Sequence, residues 1–71
     1  FVSCDIYENE NKRILFIRNF GIEQNDASVV WELTPDMKVS EAWYDGKKFD
    51  FVNGAKLPVF EHYVVVSANK I

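Results

Sequence analysis

The chain has 71 residues, 48% of them hydrophobic and 15% aromatic, and a net charge of −3. That length makes one domain, 1–71, which buries only roughly 60% of its unfolded surface, and the apolar content excludes disorder. The mild negative charge leaves no basic footprint for nucleic acid or an anionic membrane, and the longest apolar candidate, Tyr63 to Val66, is far too short to span a bilayer.

Six runs rich in β-branched and aromatic residues follow one another along the chain, and no window sustains a helical period. The first is Phe1 to Tyr7, with Val2, Cys4 and Ile6 alternating against Ser3, Asp5 and Tyr7. The polar, Asn-rich "ENENK" then predicts a hairpin turn. The second run is Arg13 to Phe20, and its continuous "ILFI" predicts a central strand covered on both faces. "GIEQNDAS" reads as a loop. The third run, Val29 to Leu33, places Val29, Trp31 and Leu33 on one face. "TPDM" is a turn, with Pro35 supplying the preset φ of its second position.

The fourth run is Lys38 to Tyr44. Asp45-Gly46 follows, a preferred pair for a two-residue hairpin turn that needs positive φ. The fifth run, Lys47 to Val52, puts Phe49 and Phe51 inward and Lys48 and Asp50 outward. "NGAK" is another turn, and the sixth run is Leu57 to Ser67, with Pro58 near its start. Strands spaced this way predict an all-β fold, a small antiparallel β-sandwich of about six strands, immunoglobulin-like in type.

Residues for chemistry are sparse. A structural zinc takes about four Cys or His ligands, and the chain offers Cys4 and His62. Glu23 to Asp26, "EQND", lacks the alternation of a calcium loop. A Cys4–His62 nucleophile pair would need the first and last strands to be neighbours; the simpler expectation is that Cys4 is a small core residue. Glu41 and Glu61 interrupt apolar strand faces and read as rim residues or hydrogen-bonding partners at a bulge rather than as a glycosidase pair. Three scattered glycines build no phosphate loop. The expectation is no catalytic residue, no metal and no cofactor.

The aromatics remain. Trp31, Phe49 and Phe51 are expected in the core. Trp43 and Tyr44 are consecutive on a strand, so one of them points away from it. Trp43, Tyr44 and Tyr63 are the candidates for contact with carbohydrate or with a neighbouring domain.

From Lys12 onward the chain resembles the small C-terminal β-sandwich that follows the catalytic barrel in many glycoside hydrolases, such as family forty-two type β-galactosidases and related clan members. The resemblance rests on "RILFIRNFG", a strand ending in Asn, on "VSEAWYDGKKFDF", and on "KLPVFEHYVVVSA", which opens with Leu-Pro and ends in alternating aromatic and valine. The chain departs from that pattern where Val59-Phe60-Glu61 stands in place of a glycine or second proline. It implies a non-catalytic ancillary domain that braces the catalytic domain of a longer parent chain, whose C-terminal fragment this would be. A carbohydrate-binding module and a stand-alone immunoglobulin-like interaction domain are the alternatives.

Overall fold

The computed structural model describes residues 2–21 and 27–71. The described residues are all-β. They form β1 (Val2–Glu8), β2 (Lys12–Asn19), β3 (Met37–Tyr44), β4 (Lys47–Phe49) and β5 (Tyr63–Lys70). These strands make one antiparallel sheet in the order β1-β2-β5-β3-β4.

Local chemistry accounts for the turns. Asn9 closes the β1–β2 hairpin: its side-chain Oδ1 accepts from the N–H groups of Asn11 and Lys12, both at 2.9 Å. This is the turn chemistry expected of "ENENK". Pro35 and Asp36 turn the chain into β3, with the Met37 N–H donating to the Thr34 carbonyl at 3.0 Å. Asp45 and Gly46 have φ of 46° and 83° and form the β3–β4 hairpin, as their pairing predicts.

The pleat divides the sheet into two unlike faces. On the core face, Leu15 and Ile17 of β2 oppose Val66 and Val64 of β5, and Val66 opposes Ala42 of β3. Trp31, Leu57 and Phe60, from two extended segments, cover this face and complete the buried core. Val64, Val66 and Ala68 are fully buried, which suits β5's place at the centre of the sheet. Phe60 is 1% exposed, a burial worth about 1.5–3 kcal/mol.

Three strand expectations are corrected, two of them in the covering segments. Val29 to Leu33 is not a strand. The Trp31 N–H donates to the Asn53 Oδ1 at 2.6 Å, and the Asn53 Nδ2 donates back to the Trp31 carbonyl at 2.8 Å. A side-chain amide thus satisfies the backbone that a strand partner would otherwise take. One isolated bridge, Ser28 to Lys56, joins the segment to the chain after the 53–54 turn. In the sixth run, Leu57 to His62 is likewise irregular; the strand begins at Tyr63 and extends to Lys70, past Ser67. The fifth run ends at Phe49 instead of Val52, because its ladder stops at the Ala42–Phe49 pair, beside a bulge between Val39 and Glu41. A bulge bends and twists its strand, which carries the partner away. Phe1 and most of the "GIEQNDAS" loop lie outside the described residues.

Candidate functional site

The second face of the sheet is the candidate site. Strand alternation places Ile14, Phe16, Trp43, Tyr63 and Val65 on it. A straight cross-strand row runs from Phe16 on β2 through Val65 on β5 to Trp43 on β3 and Lys48 on β4. All five apolar and aromatic side chains are half-buried, and none belongs to the core cluster or packs against it. Among the described residues no second layer covers this face, which corrects the expectation that "ILFI" is covered on both sides: the cover lies over Leu15 and Ile17 alone. Ile14 and Phe16 take the other side.

The aromatic side chains here are organised by one another and by cations. Phe16 and Tyr63 stack with ring centroids 5.8 Å apart and planes 16° apart. The Arg18 guanidinium carbon lies 5.2 Å from the centre of the Phe16 ring. The Lys48 ammonium stands 5.9 Å over Trp43. Such contacts are worth roughly 0.5–1 kcal/mol each at exposed positions.

Tyr44, the neighbour of Trp43, faces the other way. It is half-buried against the core and meets Phe49 edge-to-face, with centroids 5.6 Å apart and planes 77° apart. Trp43 and Tyr63 therefore share the open face, and Tyr44 does not. Phe49 and Phe51 also pack against the core, as their alternation predicts.

Tyr63 is held in place from the hairpin tip. The Asp45 carboxylate accepts from the N–H groups of Glu61 at 2.6 Å, His62 at 2.8 Å and Tyr63 at 3.1 Å. Removing that carboxylate from water pushes its pKa up, but the three N–H donors outweigh this and hold it below the ordinary carboxylate value. The Gly46 N–H donates to the Tyr63 hydroxyl at 2.8 Å. Asn19, at the end of β2, donates from its side-chain amide to the Glu61 carbonyl at 3.0 Å, fixing the same segment from the other side.

The residues with potential for chemistry are scattered. Cys4 is exposed on β1, which corrects its expected place in the core: the covering segments do not extend over the β1 edge. β2 lies between β1 and β5, so Cys4 and the segment carrying His62 are not neighbours. His62 stands instead 3.5 Å from the Glu61 carboxylate. Glu41 pairs in register with Ser67, near the far end of β5 from Glu61. The backbone from Tyr63 to Ser67 alone spans about 13 Å. Among the described residues no group of three His, Cys, Asp or Glu could hold a metal ion, and "EQND" lies outside them. A depression of about 580 Å³ at the β1–β2 turn, lined by Asn9, Glu10, Asn11, Lys12, Asn69 and Lys70, is wide open and lies at the sheet's end.

Sequence reading missed Ile14 and Phe16 as part of this site. The available signal was the period of two within "ILFI", which puts alternate residues on opposite faces. No family model, curated protein or solved structure matches the chain.

Proposed function

We propose that this chain is a non-catalytic ancillary domain of a carbohydrate-active enzyme, a glycoside hydrolase, and that it packs against the catalytic domain of its parent chain through the open sheet face. The observation that carries the docking part of this reading is a sheet with one covered face and a second face centred on Phe16, Val65 and Trp43. A contiguous apolar patch of this kind on a small domain marks an interaction surface. The carbohydrate-active parent rests on the resemblance of "RILFIRNFG", "VSEAWYDGKKFDF" and "KLPVFEHYVVVSA" to glycosidase C-terminal domains. A sandwich of that type is the finer reading of the fold: the covering segments, joined through Asn53 and Trp31 and by the Ser28–Lys56 bridge, stand where its second layer would lie.

The test is calorimetry on the intact protein carrying Phe16→Ser or Trp43→Ser. A docked domain unfolds together with its neighbour, and the substitutions separate the two transitions. Transitions that stay where they are in both variants would reject the reading.

The placement of Trp43 and Tyr63 on one face supports a second reading, a carbohydrate-binding surface. Oligosaccharide titration followed by Trp43 emission, in a Trp31→Phe background, separates the two. Saturable quenching favours the sugar; an unchanged signal favours docking.

A further inference from the structure

The charges around the open face say what kind of surface it takes. Strand register puts Lys12, Arg18, Lys38 and Lys48 on this face, against the carboxylates of Asp5 and Glu41, and Asp50, just after β4, turns outward beside Lys48 and Glu41. Among the described residues the face thus carries four cations and three anions, a net +1, on a chain whose total is −3. The cationic excess of this face is opposite in sign to the chain's total.

Two of these cations lie over the central rings. The Arg18 guanidinium lies over Phe16 and the Lys48 ammonium over Trp43, and neither has a carboxylate partner among the described residues. Any partner that covers Phe16 and Trp43 must take these charges out of water. A desolvated, unpaired cation costs several kcal/mol, more than the burial of one aromatic side chain returns. The partner therefore has to bring acceptors of its own, and charged ones satisfy a guanidinium and an ammonium best.

We infer that the open face takes a protein surface on which Asp and Glu side chains surround an apolar centre. This rests on the docking reading above and adds the chemistry of the partner. A bounded acidic patch suits this face better than an extended anionic polymer, which the chain's net −3 disfavours.

Two measurements on the intact protein test it together. Hydroxyl-radical footprinting reads the cover over Trp43 and Tyr63, with buried Trp31 as the control for folding. Carbodiimide, a zero-length reagent, joins lysines to carboxylates they touch. The expected result is protection of Trp43 and Tyr63, cross-links from Lys48, Lys12 or Lys38 to Asp or Glu outside residues 1–71, and loss of protection in Arg18→Glu/Lys48→Glu with Trp31 still protected. If Trp31 also becomes oxidised, the milder Arg18→Gln/Lys48→Gln pair and the wild-type cross-links decide. Protection with no lysine cross-link and no effect of the charge changes would overturn the acidic partner and leave docking standing. Trp43 and Tyr63 oxidised freely in the intact protein would overturn both. Protection that appears only when polygalacturonate is added would replace the protein partner with an anionic polysaccharide.

Discussion

Asp45 and Tyr63 bind each other in both directions. The Asp45 N–H donates to the Tyr63 carbonyl at 3.2 Å, and the Asp45 carboxylate accepts from the Tyr63 N–H at 3.1 Å. The tip of one hairpin is thereby fastened to the first residue of the central strand. Asp45→Ala removes the acceptor for three N–H groups and a residue suited to positive φ. The expected loss is about 1–3 kcal/mol, read as a lower urea midpoint. Asp45→Asn keeps the turn preference and loses less.

The same carboxylate gives stability a pH dependence. Its folded pKa is lowered, with desolvation opposing and the N–H donors of Glu61, His62 and Tyr63 prevailing. Its contribution is complete above the unfolded value of about 3.9 and is lost as pH falls through the lower folded value. Asp36, lowered chiefly by its hydrogen bond from Thr34, acts in the same direction. Urea midpoints measured from pH 5 down to pH 2 should fall less steeply in Asp45→Asn than in the wild type. Equal slopes would mean that the clamp carries no charge-dependent stability.

Gly46 has φ of 83°, and a Cβ built there meets nothing within 4 Å. A substitution is therefore strained by the backbone alone. Gly46→Ala should cost about 1–2 kcal/mol, and Gly46→Val more, because β-branched residues avoid positive φ. A melting temperature unchanged by Gly46→Val would place the strain elsewhere.

Asn53→Ala leaves the backbone N–H and carbonyl of a buried Trp31 without their amide partner. The expected cost is about 1–3 kcal/mol. In a Trp43→Phe background, Trp31 emission should also shift to the red. Unchanged emission would show that the covering segment stays in place without its amide link.

Phe60, at 1% exposure, outranks the half-buried Phe49 and Phe51. Phe60→Ala should cost about 3–5 kcal/mol, enough to unfold a domain this small, so Phe60→Leu is the measurable variant. Alanine at Phe49 or Phe51 should cost less than at Phe60. A larger loss at either would move the centre of the core toward β4.

The turns at 9–11, 35–36 and 45–46 were legible because each is decided by residues that touch within a few positions. The covering segments were not. Trp31 takes its hydrogen bonds from an amide 22 residues away, and nothing near Trp31 in the sequence announces it. Alternation correctly separates Trp43 from Tyr44, but which one faces the core depends on which side the covering segments choose. Cys4 shares the covered face with Ile17 yet is exposed, because the cover stops short of β1, and no local signal sets that limit. The hydrophobic runs were found; the layer over them had to be seen.

The sheet order β1-β2-β5-β3-β4 has a consequence for assembly. The β1–β2 and β3–β4 hairpins can each close early from neighbouring residues, yet they share no partner until Tyr63–Lys70 enters between them. The β2–β5 ladder joins Arg18 to Tyr63, so the event that unites the halves closes a loop of more than forty residues. During synthesis two separate hairpins wait on the last of these strands. Until it arrives, the edges of β2 and β3 that it will fill stay unpaired, and that interval is when the chain is most open to pairing with the wrong neighbour.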